Sequence, residues 1–266
     1  MLKRQREILS GLTADGFDVY LYDQVGSGYS ERLADIRDYS AARHLADLDA
    51  IVEKIGAPKV ILIGQSWGAA LAVLYAADHP GKVERIVFTS PGVLKPERER
   101  EPIDPPPGVT LTPASGGVAE AAAKLLHPRS IAILLGAKAF GLKIASDAEA
   151  DGLMTALEES FTKALVCDPA RRIAPEGGAG GYVQFRTTMT YDALDDPRPK
   201  LAGKNIPMLM TGGSCEPIDW ASNKEFSDLF PDNRFVLIDG AGHQSYVEQP
   251  EAYFSAIREF LVDGAD

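Results

Sequence analysis

The sequence predicts an α/β fold in which a mostly parallel β-sheet is covered by helices on both faces and carries an inserted helical segment. Short aliphatic runs alternate with amphipathic helical patterns before residue 91 and after residue 201, and this alternation stops in between. With 266 residues, of which 45% are hydrophobic, the chain is long enough to bury a large core. These observations together give the fold class.

Five runs of β-branched or aliphatic residues have the length of buried strands and are followed by turn-forming residues. The predicted strands are residues 18–22, 60–63, 85–89, 207–210 and 235–238. Between them, residues 40–55 and 250–261 each place their apolar side chains on one helical face. Such alternation favours a parallel sheet that is buried on both sides.

Residues 91–201 form the predicted insertion. It opens with a proline-rich stretch, continues through helix-like residues 117–126, 130–140 and 147–165, and contains a cluster of glycines. These glycines are Gly177, Gly178, Gly180 and Gly181. We expect residues 1–90 and 202–266 to form the core, and residues 91–201 to form a helical cap on the open end of the sheet.

The pentapeptide Gly64-Gln65-Ser66-Trp67-Gly68 lies between a predicted strand and a run of small apolar residues that begins a helix. The pattern G-x-S-x-G at a sharp strand-to-helix turn is typical of a nucleophilic serine. We expect glycine at both ends because a side chain there would collide with the neighbouring strand or helix. Ser66 is the candidate nucleophile, and the backbone amide of Trp67 is the candidate oxyanion donor.

A serine hydroxyl needs a neighbouring imidazole to remove its proton, and the chain has four histidines. His44 lies in a helical pattern, His79 at a helix C-terminus and His127 before a proline, where structural roles suffice. His243 lies in a glycine-rich loop after the last predicted strand, at the same edge of the sheet as Ser66. His243 is therefore the candidate general base.

The chain order Ser, acid, His places the orienting carboxylate after the strand at residues 207–210. Glu216 and Asp219 compete there. Glu216 is nearer the strand and precedes a proline, whereas Asp219 is placed to cap a helix that begins near Ala221. We predict Glu216 as the acid, with Asp219 as the alternative and an acid after the strand at residues 85–89 as a third.

Three motifs together resemble the α/β-hydrolase superfamily: the turn Asp23-Gln24-Val25-Gly26-Ser27-Gly28-Tyr29-Ser30, the Ser66 elbow and the loop from Gly240 to His243. The resemblance covers most of the chain outside the cap and is nearest to proline iminopeptidases and related serine hydrolases. Gln65 stands where the iminopeptidase pattern usually has glycine. The resemblance implies the α/β-hydrolase fold, and cleavage of an ester or amide of a small molecule or release of N-terminal proline from a short peptide.

Relatives of this kind also have an upstream strand and a His-Gly-Gly-Pro-like loop that supplies a second oxyanion donor. By this resemblance Met1 begins in the helix after that loop, and the missing strand belongs between residues 18–22 and 60–63. We therefore expect that the natural chain begins upstream of Met1. We also expect that this sequence does not contain the loop that supplies the second oxyanion donor. A weak enzyme, or a non-catalytic ligand-binding protein or inactive fragment, is the alternative to an active hydrolase.

Composition argues against several other classes. The 27 basic and 38 acidic residues give a net charge of −11, which opposes binding to nucleic acid and to anionic membranes. The sequence has neither a P-loop nor clustered metal ligands, so we expect no metal and no organic cofactor. Cys167 and Cys215 lack a paired metal-binding spacing and could form only one bridge, so we interpret both as free thiols in a reducing compartment. No signal-peptide core follows Met1, so we expect a cytoplasmic location.

The helix-like stretch at residues 147–165 is rich in acids. They are Glu149, Asp151, Glu158 and Glu159. By resemblance to iminopeptidases, such cap acids bind the free amine of a substrate, whereas a run of charge is more often a solvated face. The expected partner is a small molecule or a short peptide, and the sequence makes no prediction of oligomeric state.

Overall fold

A four-stranded parallel sheet lies at the centre of the computed structural model, which describes residues 6–8, 10–111, 117–162, 165–171, 178–216 and 219–262. In chain order the strands are β1 (Val60–Ser66), β2 (Val83–Pro91), β3 (Thr110–Leu111), β4 (Met208–Gly213), β5 (Cys215–Glu216) and β6 (Asn233–Ile238). The central sheet has the order β1-β2-β4-β6, and β3 pairs with β5 separately. Because all the central pairs are parallel, the carboxyl ends of these strands share one edge.

Ten α-helices connect and cover the strands within the described residues. They are α1 (Ala41–Ile55), α2 (Trp67–Asp78), α3 (Val118–Leu125), α4 (Pro128–Phe140), α5 (Asp147–Thr162), α6 (Gly181–Tyr191), α7 (Arg198–Leu201), α8 (Trp220–Asp228), α9 (Ser245–Glu248) and α10 (Pro250–Val262). Strands and helices alternate on either side of the inserted helices. The predicted fold class is therefore confirmed.

Both faces of the sheet are buried, because successive residues of a strand point to opposite sides. Ile86 and Phe88 of β2 pack with α1, α2 and α8, whereas Val87 between them packs with α10. Residues 69–77 of α2 are buried throughout, as expected for a helix that is apolar on every side. The doubly covered sheet predicted from the sequence is thus confirmed.

Four predicted strands and both predicted core helices are confirmed, with small changes of boundary. Residues 60–63, 85–89, 207–210 and 235–238 correspond to β1, β2, β4 and β6. α1 begins after Ser40, whose Oγ accepts a hydrogen bond of 3.0 Å from the Arg43 amide. It ends before Gly56, which has a left-handed φ of 72°. Local caps therefore fix this helix where the sequence pattern begins and ends.

The predicted strand at residues 18–22 is wrong. These residues form no ladder, and the outer edge of β1 is also unpaired among the described residues. A cavity of about 520 Å³ lies between them, lined by Val19 and Leu21 on one side and by Ile61 and Ile63 on the other. An extended segment becomes a strand where a neighbour pairs its backbone N–H and C=O groups, and apolar composition does not supply that neighbour.

Residues 91–201 pack against the segment that precedes α1 through a shared apolar cluster. Members of this cluster include Ile36, Tyr39, Ile133, Met154 and Val183. The sequence prediction missed α6, because it interpreted the preceding glycines as a loop; of these, Gly177 lies outside the described residues. A Cβ on Gly181 would lie 2.2 Å from the Ala150 carbonyl oxygen, so this glycine permits α6 to pack tightly on α5.

His44 joins α1 to α6. Its Nε2 lies 2.9 Å from Thr187 Oγ1, and the residue is 2% exposed. Among the described residues, His44 Nδ1 has no hydrogen-bond partner. Burial lowers the pKa of His44 below its usual value, because the charged imidazolium loses its hydration. A neutral imidazole here is part of the packing between the core and the inserted segment.

The free energy of unfolding is expected to fall as the pH drops from 7 to 5, in part through His44. Because its pKa is lower in the folded chain, the unfolded chain takes up the proton first, below about pH 6.5. His44→Gln has no such proton uptake, so its melting temperature should depend less on pH than that of the unsubstituted chain. Thermal unfolding of both proteins at pH 7 and pH 5 measures this difference, and equal pH dependence would contradict it.

Candidate active site

The turn between β1 and α2 holds Ser66 in a strained backbone conformation. Ser66 has φ 53° and ψ −116°, which is a positive φ that non-glycine residues rarely adopt. Such a conformation persists where the surrounding structure fixes it. Trp67 and Gly68 form the first turn of α2, so their backbone amides have no acceptor within the helix. Ser66 therefore lies at the carboxyl edge of the sheet and beside a helix N-terminus, which favours negative charge.

The two glycines of the elbow differ in their surroundings. A Cβ on Gly64 would lie 2.3 Å from the Gly68 carbonyl oxygen, so β1 and α2 approach too closely there for any side chain. A Cβ on Gly68 would meet nothing within 4 Å. The expected steric need for glycine therefore holds at Gly64 and is wrong at Gly68, because the first turn of α2 faces open space at that position.

His243 and Glu216 are brought together at the end of β6. His243 Nδ1 lies 3.3 Å from Glu216 Oε1, and these residues are 6% and 1% exposed, respectively. Glu216 ends β5, which follows β4 after the single residue Ser214. A carboxylate at this nitrogen fixes the tautomer that leaves Nε2 able to accept a proton. The geometry is that of an imidazole held by an acid.

Asp219 has a different role. It is exposed and caps α8: its Oδ1 accepts a hydrogen bond of 2.9 Å from the Ser222 amide, and its Oδ2 accepts one of 2.7 Å from Ser222 Oγ. Some loss of hydration at the carboxylate opposes ionisation, but the hydrogen bonds from Ser222 outweigh it and lower the pKa of Asp219. No hydrogen bond or ion pair joins Asp219 to His243 among the described residues. Pro217, which the sequence argument used, lies outside them.

Gln65 links the elbow to the His243 loop, and the sequence analysis missed this role. Its Nε2 donates a hydrogen bond of 2.9 Å to the His243 carbonyl oxygen. Within the described part of the chain, no side-chain hydrogen bond joins Ser66 to His243 in this state. Catalytic hydrogen bonds are often loose in free enzymes and tighten when substrate binds. A glycine at position 65, as in the iminopeptidase pattern, would lack this link.

Glu248 is a second residue that sequence reasoning missed. It is 1% exposed, and its two carboxylate oxygens accept hydrogen bonds from the backbone amides of Gly242, at 2.6 Å, and Asp168, at 3.0 Å. The available signal was an acid at the end of the short helix α9, two residues before the proline that begins α10. A buried carboxylate has to be hydrogen-bonded, so such a position indicates a structural joint.

A cavity of about 360 Å³ lies beside the elbow, between the core and α6. Its lining includes Gln24, His44, Trp67, Gln184 and Tyr191. The indole Nε1 of Trp67 donates a hydrogen bond of 3.3 Å to Gln24 Oε1, in the turn that carries the family resemblance. Ser66 and His243 do not line this cavity. Trp67 therefore separates the cavity from the candidate nucleophile.

The acidic side chains singled out in α5 differ in their hydrogen-bond partners and in their exposure. Glu149 Oε1 accepts a hydrogen bond of 2.6 Å from Arg129, and Asp151 Oδ2 accepts one of 2.8 Å from Arg32. Glu158 accepts one of 2.7 Å from the uncharged side chain of Gln184, and burial raises the pKa of Glu158. Glu159 is exposed. Glu158 is therefore the acid of this stretch that lies next to a residue of the cavity lining.

The interpretation of both cysteines as free thiols is wrong. A disulfide bond joins Cys167 to Cys215, whose Cα atoms are 5.4 Å apart. The two residues are 48 positions apart in the chain, so no short sequence motif predicts that they pair. The bond connects the residue before Glu216 to the segment that follows α5. A cytoplasmic location stays a prediction, without the support of free thiols.

The other two histidines have local contacts away from the elbow. His79 Nε2 lies 3.3 Å from Asp49 Oδ1, and His127 Nδ1 accepts a hydrogen bond of 3.3 Å from the Arg129 amide at the start of α4. Among the described residues, no group of three or more His, Cys, Asp or Glu side chains is placed to hold a metal ion. None of the helices described above is long and apolar enough to cross a membrane.

Comparison with known proteins gives matches over most of the chain. Residues 2–250 match the alpha/beta hydrolase fold family. The sequence is 25% identical over 263 residues to a proline iminopeptidase of Heyndrickxia coagulans, covering 95% of this chain and 85% of that relative. It is 26% identical to the (lyso)-N-acylphosphatidylethanolamine lipase of Homo sapiens, covering 93% and 72%, respectively. An esterase from Exiguobacterium antarcticum has a similar structure, with a TM-score of 0.62, 12% identity and coverage of 97% and 86%.

Alanine substitutions at the two elbow glycines are expected to act in opposite directions. Gly64→Ala forces β1 away from α2 and should lower the free energy of unfolding by at least about 1–3 kcal/mol. Gly68→Ala meets no neighbour and replaces glycine in a helix, so it should be neutral or stabilise by up to about 1 kcal/mol. Urea unfolding of both variants measures the two changes. Equal destabilisation would contradict the described elbow.

Proposed function

We propose that this chain, which belongs to the alpha/beta hydrolase fold family, is a serine hydrolase that cleaves an ester or amide bond of a small substrate. The observation that carries the proposal is the buried His243–Glu216 pair, 3.3 Å apart, at the same sheet edge as Ser66 and its strained turn. A buried imidazole with an acid at Nδ1 is what a serine nucleophile requires. Relatives named as iminopeptidase, lipase and esterase support hydrolysis as the reaction class.

In the proposed mechanism His243 acts as the general base. Its Nε2 takes the proton of Ser66 as Oγ attacks the substrate carbonyl carbon, and Glu216 stabilises the imidazolium that forms. The backbone amide of Trp67 donates to the oxyanion, aided by the N-terminus of α2. His243 then returns the proton to the leaving group, and water releases the acyl group by the same route in reverse.

We infer that residues 91–201 serve as a cap that shapes the substrate site. α6 lies over the cavity next to Trp67, and α5 places Glu158 beside the cavity residue Gln184. Polar side chains such as Gln24 and Gln184 and the aromatic rings of Trp67 and Tyr191 line this cavity together, which suits part of a small molecule or the end of a short peptide. In this proposal the cavity holds only the part of a small substrate that extends past Trp67, and the bond that is cleaved lies outside it, next to Ser66.

Aminopeptidase action on N-terminal proline is the second candidate. It is favoured by the similarity to proline iminopeptidases and by Glu158, whose carboxylate is hydrogen-bonded to the uncharged side chain of Gln184 and would attract a substrate amine. Gln65, which is bonded to the His243 carbonyl oxygen, departs from that pattern. Ester hydrolysis therefore remains the leading proposal.

A fluorophosphonate probe is expected to form one covalent adduct with the folded chain, on Ser66. The adduct requires an activated hydroxyl and no knowledge of the substrate. Intact mass measurement detects it, and Ser66→Ala, with the same fold, should give none. Absence of labelling in a folded chain would favour the non-catalytic, ligand-binding alternative.

Glu216→Gln is expected to slow probe labelling by about 10²- to 10⁴-fold, because the amide does not hold the imidazole in its productive tautomer. Asp219→Asn is the matched control, since asparagine still caps α8 and no hydrogen bond or ion pair joins Asp219 to His243 among the described residues. It should change the labelling rate less than about threefold. The reverse pattern would transfer the acid role to Asp219.

A panel of short acyl p-nitrophenyl esters and proline p-nitroanilide separates the two substrate classes. We expect turnover of the esters to exceed that of the anilide. Glu158→Gln tests the second candidate: it should leave ester turnover unchanged and lower anilide turnover only if Glu158 holds the substrate amine. Anilide turnover above that of every ester would make the aminopeptidase proposal the leading one.

A further inference from the structure

We propose that residues 165–171, here called the strap, position the His243–Glu216 pair for reaction, with the Cys167–Cys215 disulfide and the Glu248 carboxylate as the two positioning joints. The strap follows α5 and lies against the carboxyl edge of the sheet. This inference rests on the proposed function, since it concerns the same pair of side chains. If the strap positions this pair, the reactivity of Ser66 depends on whether the Cys167–Cys215 disulfide is intact or reduced.

The first joint holds the acid. Cys215 is the residue directly before Glu216, and its disulfide to Cys167 ties the short strand β5 to the strap. The backbone amide of Cys215 also donates a hydrogen bond of 3.0 Å to the Ala241 carbonyl oxygen in the His243 loop. Movement of Cys215 therefore displaces Glu216 and the loop that carries His243 together.

The second joint holds the base. The His243 amide donates a hydrogen bond of 2.8 Å to the Leu165 carbonyl oxygen of the strap. Glu248 bridges the same two segments, because one of its oxygens accepts from Gly242 at 2.6 Å and the other from Asp168 at 3.0 Å. Because Glu248 is 1% exposed, these backbone amides take the place of water as hydrogen-bond donors to its carboxylate.

Close packing adds a steric constraint to these bonds. A Cβ on Gly242 would lie 2.5 Å from the Leu165 carbonyl oxygen, so the strap and the His243 loop are in direct contact. On its other side the His243 carbonyl oxygen is bound by Gln65, the neighbour of Ser66. The backbone of His243 therefore lies between the strap and the elbow. When the strap moves away, the hydrogen bond from Gln65 still holds the carbonyl group of His243, but the bond from its amide to Leu165 is lost.

A small displacement at this position has a large kinetic effect. Misplacement of a catalytic group by about 1 Å costs on the order of 10²-fold in rate. Separation of the strap frees Glu216 and His243 to move by such an amount while the four-stranded sheet stays paired. The expected signature is a lower kcat with little change in KM, because the strap joints do not line the cavity beside the elbow.

The test compares the oxidised chain with the chain reduced by the water-soluble phosphine TCEP. The phosphine supplies two electrons that cleave the Sγ–Sγ bond to two thiols, and it takes oxygen from water to become the phosphine oxide. Reduction is expected to slow fluorophosphonate labelling of Ser66 by about 10- to 100-fold. A Cys167→Ser/Cys215→Ser double variant should be equally slow with and without TCEP.

Glu248→Gln tests the second joint without changing the disulfide. It should slow labelling by about 10-fold or more and lower kcat for an ester rather than raise KM. The matched control is Glu259→Gln, because Glu259 lies on α10 and forms an exposed ion pair with Arg234 of β6; it should leave the rate unchanged. Circular dichroism establishes that each protein is folded at the temperature of the assay.

Amide hydrogen exchange gives a readout that does not require catalysis. On reduction, the amides of Gly242 and His243 should exchange faster, while those of β4 keep their protection. Unchanged exchange at both amides overturns the proposal, and so does altered exchange with an unchanged labelling rate. If the oxidised chain fails to label, the proposed function fails, and the exchange measurement alone then supports or overturns positioning by the strap.

Discussion

Parallel pairing of the four central strands is the constraint on which the candidate site depends. Because β1, β2, β4 and β6 run in the same direction, their carboxyl ends and the loops that follow them meet at one edge. β1 delivers Ser66 to this edge, β4 leads to Glu216, and β6 leads to His243. Residues far apart in the chain become neighbours without any long-range motif, since the hydrogen-bond ladders fix the register between strands.

Glycine then sets how closely these loops approach. A Cβ on Gly213, the last residue of β4, would lie 2.1 Å from the Ala241 carbonyl oxygen. Gly64 has the same function at the elbow, where the α2 backbone lies against β1. Both contacts place backbone against backbone, which no side chain permits. The distance between the candidate acid and base therefore follows from positions that carry no functional group themselves.

Three ionisable side chains are buried at this edge: Glu216, His243 and Glu248. Burial of such groups is costly unless hydrogen bonds replace the lost water. Backbone amides supply those bonds at Glu248, and the imidazole does so at Glu216. The lateral edge of the sheet differs, because the outer side of β1 lies beside a cavity lined mostly by apolar side chains. These three buried ionisable side chains and the hydrogen bonds that they form therefore lie at the carboxyl edge of the sheet.

The sequence by itself determined the elements whose signals are local. Aliphatic runs predicted four strands, the spacing of apolar residues predicted α1, and the elbow pattern and the glycine-rich loop singled out Ser66 and His243 as candidates. Tertiary structure decided what depends on a partner distant in the chain: the missing ladder at residues 18–22, the freedom of Gly68, and the Cys167–Cys215 bond. Propensity and periodicity describe how a segment relates to its own neighbours. Strand pairing, close approach and disulfide formation require a second segment, and its position is fixed only when the chain has folded.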